Sequence, residues 1–457
     1  MRYHTIVCRL GSGDTAKVVP LRSDTLVTDV SFVDGDRRLS YGLGDTLDHL
    51  AKLGIAPSEK AVDLVLLAAA VTAADTRISR ATESQDLWTR EIDVHVPVLD
   101  VELWTSFAPL IGRTLNFLTG DHWRVVFRPR PDGFEGLVPC PTMLRRVNSD
   151  CVCLFSGGLD SFIGAIDLLQ DGKRPMLVSH YWDGITSSRQ THCADALGRH
   201  FLRRPFDHLR ARIGFPNGLV AGSRGEDTLR ARSFLFFAVA AMTADAIGGD
   251  MVVHVPENGL ISLNVPIEPS RLGALSTRTT HPWYMARVCE LLSGLGLTVR
   301  LHNGYRFKTK GMMAKECGAK DLLAAEAMHT MSCSSPGKAR YAKNKADRTP
   351  KHCGYCVPCL IRRAAIIEAF GADATPYQVA SLTGQVLNTA KAEGNHVRGF
   401  QVAFARMKRK PGRVRFDIHR PGPLVDHPDD LADYERVYLE GMREVERLLE
   451  GVRAWPT

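Results

Sequence analysis

A six-residue turn, Ser156-Gly157-Gly158-Leu159-Asp160-Ser161, falls directly between an apolar strand, Cys151 to Phe155, and a helix predicted over Ser161 to Leu169. Consecutive glycines let the backbone turn tightly and present its amides to a ligand as an anion nest. The helix behind adds its positive N-terminal end. Ser156 and Ser161 supply hydroxyl donors, and Asp160 supplies an oxygen ligand for Mg2+ held against phosphate. The lysine and spacing of a Walker A loop are missing. The plainer alternative is a glycine turn whose Ser and Asp only cap the helix.

The alternation continues downstream. Strands are predicted over Pro175–His180, Met251–Pro256 and Thr298–His302, and helices over Ser188–Leu202, Leu229–Ile247 and Trp283–Leu295. Such a repeat implies an α/β, doubly wound parallel sheet covered on both faces. Ligands of these sheets sit beyond the carboxyl ends of the strands. Three strands end in polar groups there: Ser156 to Asp160, His180 to Asp183, and Glu257-Asn258-Gly259.

With 457 residues, 44% hydrophobic and 24% charged, the chain is neither disordered nor collagen-like and has room for two or three domains. Residues 1–148 are expected to form an α+β accessory or partner-binding domain. Its strands are predicted over Val18–Leu21, Leu26–Val33, Ile92–Val98 and Trp123–Phe127, and its helices over Glu59–Ser79 and, after Asp100, Val101–Phe117. Residues 149–372 hold the sheet just described. Residues 373–457 are expected as a mostly helical extension with a strand-like Arg413–Ile418 and an amphipathic Asp429–Val452. The longest apolar run, Ala61–Ala74, carries Asp63 and falls short of the ~20 residues of a membrane span. No membrane contact is expected. The N-terminal segment lacks the apolar run of a signal peptide, and eleven cysteines suit a reducing, cytoplasmic setting.

Four of those cysteines, Cys333, Cys353, Cys356 and Cys359, offer the thiolates of a closed tetrahedral, structural Zn2+ site. A redox C-x2-C is the alternative reading. His352 is left no ligand role by four sulfurs. The net charge of +8 is concentrated in two segments: 338–351 with net +5, and 397–420 with net +7, whose cations fall within 398–420. Both are candidate nucleic-acid surfaces.

The turn at Ser156–Ser161 resembles the SGGxDS signature of the PP-loop ATP pyrophosphatases, with their adenine nucleotide α-hydrolase-like fold. The run Ser332-Cys333, with His352-Cys353-Gly354-Tyr355-Cys356-Val357-Pro358-Cys359-Leu360-Ile361-Arg362, is similar to the zinc motif of the QueC-like 7-cyano-7-deazaguanine synthases. The element Glu257–Asn264, with Ser276–Pro282, resembles a branch of that family found in bacterial anti-phage operons, the Qat system. In such enzymes ATP adenylates a substrate carboxylate, pyrophosphate leaves and an amine displaces AMP. The resemblance implies ATP, Mg2+ and Zn2+ as cofactors, 7-carboxy-7-deazaguanine as substrate, and ammonia or the N-terminus of a partner protein from the same defence operon as the amine.

Carried over residue by residue, Phe155, Ser156, Gly157, Gly158, Leu159, Asp160 and Ser161 would hold ATP's phosphates, with Val178, Ser179 and His180 near the adenosine. Arg230-Ala231-Arg232-Ser233 looks like an arginine element in which Arg232 and Ser233 face nucleotide and substrate; Arg230 faces either the site or solvent. Glu257 and Asn258 stand where the family reads a guanine-like edge. Lys310, in Lys308-Thr309-Lys310-Gly311, would offset charge on the α-phosphate. Ser156, Asp160, Ser161 and Lys310 are thus the expected catalytic set. Arg271 and the loop Thr277-Arg278-Thr279-Thr280-His281-Pro282 depart from the family text. His281 there either caps a helix or joins Arg278 and Thr279 in binding substrate. Two alternatives to the ligase stand: a tRNA-modifying PP-loop enzyme, and a catalytically silent nucleotide-binding scaffold. Cys151 and Cys153, on one strand face, read as core rather than as a catalytic pair.

Overall fold

The computed structural model describes residues 2–33, 37–85, 88–142, 147–226, 228–267, 278–341 and 345–456. It is α/β, with two parallel sheets and a helical C-terminal region. The first sheet has the order β2-β1-β3-β4, from β1 (Tyr3–Arg9), β2 (Thr25–Ser31), β3 (Glu91–Val98) and β4 (His122–Pro129). All its pairings are parallel. The α+β expectation for this region is therefore corrected to parallel α/β. What the sequence reading missed was β1, buried over five consecutive residues and so lacking alternation, and the helix α1 (Leu43–Lys52). Val18–Leu21 is not a strand: Pro20 removes a ladder donor, and Val19 and Leu21 lie exposed.

Helix α2 (Glu59–Arg77) is buried on every side from Ala61 to Thr76, as its continuous apolar run demands. Past it lie the short α3 (Arg80–Glu83) and α4 (Val101–Thr119), the latter capped by the Asp100 carboxylate on Leu103 N.

The second sheet has the order β7-β6-β5-β8-β9, all parallel: β5 (Cys151–Leu154), β6 (Pro175–His180), β7 (Asp207–Ala211), β8 (Met251–His254) and β9 (Val299–His302). Helices α5 (Leu159–Gln170) and α6 (Gly184–His200) pack on one face, and α7 (Arg232–Ile247) on the other. The chain moves from β5 to β6 and β7, then returns across β5 to β8. That reversal makes a crevice at the carboxyl ends of β5 and β8. Side chains on β5 alternate between the two faces: Val152 and Leu154 join the α7 side, Cys153 and Phe155 the α5 side. Cys151 and Cys153 are both buried, and burial pushes the Cys151 thiol up to about 12.

Helix α2 packs on α7, so one apolar core runs from the first sheet through both helices to the second. The short α8 (Gly259–Leu263), α9 (Pro282–Gly294), α10 (Lys310–Glu316) and α11 (Lys320–Glu326) follow. Helices α12 (Val357–Phe370), α13 (Ala392–Arg409) and α15 (Leu431–Leu448) build a separate C-terminal core around Phe400, Val437 and Met442. Arg413–Ile418, expected as strand-like, is a helical turn, with α14 spanning Val414–Asp417. Val414 and Ile418, four apart, bury on one face, and Arg413 pairs with Asp417 at 3.3 Å. A two-stranded ladder of β10 (Leu387–Asn388) and β11 (Ala454–Trp455) ties the ends of this region together. Among the described residues, no helix is long and apolar enough to cross a membrane.

Candidate functional site

The turn after β5 occupies the crevice. Gly157 has φ +79°, a conformation only glycine takes readily, and a Cβ there would stand 3.1 Å from Gln190 N. The Ser156 and Ser161 hydroxyls lie 3.1 Å apart, and Ser161 Oγ donates to Gly158 O at 3.0 Å. The N-cap residue Gly158 has no side chain with which to cap α5; instead Gly158 N meets Ser156 Oγ at 3.3 Å and Leu159 N meets Ser332 Oγ at 3.4 Å, long hydroxyl contacts that an arriving anion would displace. Ser156 is exposed, whereas Phe155 and Leu159 are core residues. A strap from the cysteine region passes over the turn: Met331 N donates to Gly157 O at 2.8 Å.

Below the turn, Asp160 is buried against Lys310 Nζ at 2.9 Å and Asn258 Nδ2 at 2.7 Å. Asn258 also caps α8 through Oδ1, accepting from Ile261 N at 3.1 Å, which fixes its amide toward Asp160 and, at 3.0 Å, toward Glu257 Oε1. Burial would raise Asp160, but the Lys310 charge and these hydrogen bonds hold it below the usual carboxylate range. Glu257 shows part of its surface to the cavity, yet burial of its carboxyl and then the Asp160 charge push it well up. The two neighbouring carboxyls are thus driven apart, Asp160 toward its ionised form and Glu257 toward its protonated one.

Two cavities meet here. One, of about 480 Å³, is walled by Ser156, Ser161, Arg230, Arg232, Ser233, Glu257, Thr279 and Thr280. The other, of about 800 Å³, lies between the first sheet's region and β6–β7, with His180, Trp182, Arg232, Tyr41, Asp45 and Thr76 in its walls. Arg232 and Leu229 line both.

Arg230 is buried, donating to Thr119 O at 2.7 Å, and burial lowers it to about 10. Arg232 donates to His180 O at 3.2 Å and stacks 4.3 Å over Trp182; burial lowers it, too, to about 10. Burial first, then Arg232, lowers His180 to about 4, and its Nε2 meets Ile213 O at 3.0 Å. Val178 and Ser179 line neither cavity: Val178 is core, and Ser179 Oγ donates to Phe155 O at 2.5 Å. Arg278 is engaged with the first region, donating to Phe117 O at 2.8 Å and stacking on that ring. His281 caps α9, its Nδ1 accepting from Trp283 N at 3.2 Å, and its ring packs on Phe117. The structure thus gathers Ser156, Asp160, Ser161, Ser233, Glu257, Thr279 and Lys310 about one crevice, and leaves Arg278 and His281 outside both cavity walls. Arg271, Thr277 and Lys343 lie outside the described residues.

Cys333, Cys353, Cys356 and Cys359 bring their sulfurs within 4.8 Å of one another. Backbone N–H groups point at them, from Cys353 to Cys333 Sγ at 3.4 Å and from Cys356 to Cys353 Sγ at 3.3 Å. Gly354, at φ +88°, makes the knuckle bend, where a Cβ would strike Val379 O. Four soft donors with supporting amides fit a closed Zn2+ site. His352 is buried beside it, Nε2 on Thr330 O at 3.0 Å.

Several residues of the site were not singled out in the sequence. Glu444 of α15 reaches across to α10, binding Thr309 Oγ1 and, at 3.3 Å, Gly311 N. Its signal was a charge on the apolar stripe of Val437, Gly441 and Val445. Met331 carried no signal, and Trp182 and Ser332 fell inside quoted segments without a role of their own, because only the fold brings them to the turn and its cavities. No family model, curated protein or solved structure matches the chain.

Proposed function

We propose that the chain is a PP-loop ligase that adenylates a carboxylate, 7-carboxy-7-deazaguanine by its resemblance to the QueC-like family, and joins it to an amine in anti-phage defence. The carrying observation is the glycine turn at the start of α5, with the buried Asp160–Lys310 pair beneath it and the arginine-walled cavity beside it. The amides of the turn, held only by long contacts to the Ser156 and Ser332 hydroxyls, suit a pyrophosphate, and Lys310, buried with Asp160, suits charge growing on an α-phosphate. Arg232, shared by both cavities, can serve nucleotide and substrate carboxylate together. Glu257, in the wall of that cavity, offers carboxyl oxygens to the donors of a purine-like edge.

Asp160, the carboxylate held toward its ionised form, is the hard oxygen donor that would hold Mg2+, which would supply charge neutralisation for the phosphates. The carboxylate oxygen attacks the α-phosphorus and pyrophosphate leaves; the amine nitrogen then attacks the acyl carbon, and AMP leaves. Positioning and charge carry most of the rate, so no side-chain nucleophile is required. The four cysteines hold zinc structurally.

The test is incubation with Mg-ATP, 7-carboxy-7-deazaguanine and ammonia, or with proteins from the same operon. AMP and pyrophosphate should form only with the carboxylate present and be lost in Asp160→Ala. ATP turnover that ignores the carboxylate would overturn the reading.

A further inference from the structure

Outside the walls of both cavities, three side chains from three elements converge. His192 of α6, Glu326 at the end of α11 and His329, which closes the following short turn, bring ligating atoms within 4.8 Å of one another. His192 Nε2 lies 2.7 Å from Glu326 Oε2, and the two imidazole centroids are 4.4 Å apart. Arg199 approaches the other carboxylate oxygen, Oε1, at 3.8 Å, orienting the group while leaving Oε2 to face the imidazoles. All three side chains are partly exposed, so an ion can enter from solvent.

We propose that His192, Glu326 and His329 form a second metal site, taking a divalent transition ion of the zinc class. Two imidazole nitrogens and one carboxylate oxygen select Zn2+, Co2+ or Ni2+ over Mg2+ and Ca2+, which prefer all-oxygen shells. Three protein ligands leave a position open to water, unlike the closed four-sulfur cluster. The ion replaces the His192–Glu326 hydrogen bond with two stronger bonds and adds His329. Its binding is therefore exchangeable, while the four-sulfur ion stays resident.

The position gives such an ion a consequence. His329 sits two residues before Met331, whose N–H holds Gly157 O at 2.8 Å. Arg189, also on α6, reaches the His329 carbonyl at 3.4 Å. An ion at this site clamps α6 to the strap over the glycine turn, and so stiffens the turn from outside the ligand cavities. The proposal stands whether or not the chain is a ligase.

The test uses the full chain with its four-sulfur site filled and loosely held metal removed, titrated with Zn2+ and with Co2+. One further ion per chain is expected, absent in the His192→Ala/His329→Ala double variant, which keeps the first ion. X-ray absorption of the added Co2+ should show nitrogen and oxygen donors without sulfur. His192→Gln, a single change at a partly exposed position, should show the same loss and serves if the double variant does not fold. No added ion in the unmodified chain, or an added ion that both variants bind equally, overturns the proposal.

Discussion

Asp75 of α2 accepts a hydrogen bond from the backbone N–H of Ala231 at 2.9 Å, between the two cavity arginines. Its other oxygen takes Arg90 Nη2 at 2.7 Å, and Arg90 also holds Asp121 at 2.7 Å in a fully buried network. The N-terminal region thereby sets the backbone that aims Arg230 and Arg232. Asp75→Ala should cost about 3–5 kcal/mol in urea unfolding, because it leaves buried Arg90 half-compensated. Asp75→Asn, which keeps the shape, should cost less. Equal and small losses in both would show that the network does not position Ala231.

Stability should fall on mild acidification. Burial first, and then a neighbouring arginine, lowers His180 to about 4 and His208 and His281 to about 3. Unfolded, each titrates near 6.5, so the unfolded chain binds more protons below that value. The contribution is complete above pH ~6.5 and is lost progressively as pH falls toward the folded values. Each pH unit of difference is about 1.4 kcal/mol per group, of order 3 kcal/mol for His180. Urea midpoints measured from pH 7.5 down to 4.5 should decline, and less steeply in His180→Asn.

Removing metal from the four cysteines should loosen more than their own loop. Gln378 N and Val379 N donate to His352 O and Cys353 O at 2.8 and 3.1 Å, so the knuckle anchors the chain leaving α12. Cys356→Ser should lower Tm by several degrees and expose 372–385 to protease. An unchanged digestion pattern would separate the knuckle from that anchoring.

Glu444 should matter to Lys310 without touching it. Its carboxylate takes Thr309 and Gly311 at the start of α10, the residues either side of Lys310. Glu444→Ala should reduce carboxylate-dependent AMP release about tenfold, with Glu444→Gln close to unmodified. Equal loss in both would point to simple misfolding.

The second sheet was legible because its strands are short apolar runs set off by glycine and polar turns. Pro175–His180 was placed to the residue, and β5 and β8 within one or two. Asp207–Ala211 was missed since only two of its five residues are buried, as befits an edge strand. The glycine turn and the cysteine cluster are local in sequence and could be read directly. Lys310 was expected in the site from its resemblance to the family's lysine turn, but not its ion pair with Asp160, 150 residues away, and nothing local foretold that Arg230 would meet Thr119 at the end of α4. His281 shows the limit of residue type as a guide, being chemically versatile yet used here as a cap. Arg413–Ile418 shows the limit of short patterns, where spacing by four outweighed apparent alternation.

The most direct test of carboxylate adenylation follows oxygen rather than rate. With the substrate carboxylate labelled with heavy oxygen, attack on the α-phosphorus and later displacement by an amine carry one labelled oxygen into AMP. Mass spectrometry of the AMP should show that single label, and none of this product with Asp160→Asn. Unlabelled AMP, or ADP in its place, would contradict the account.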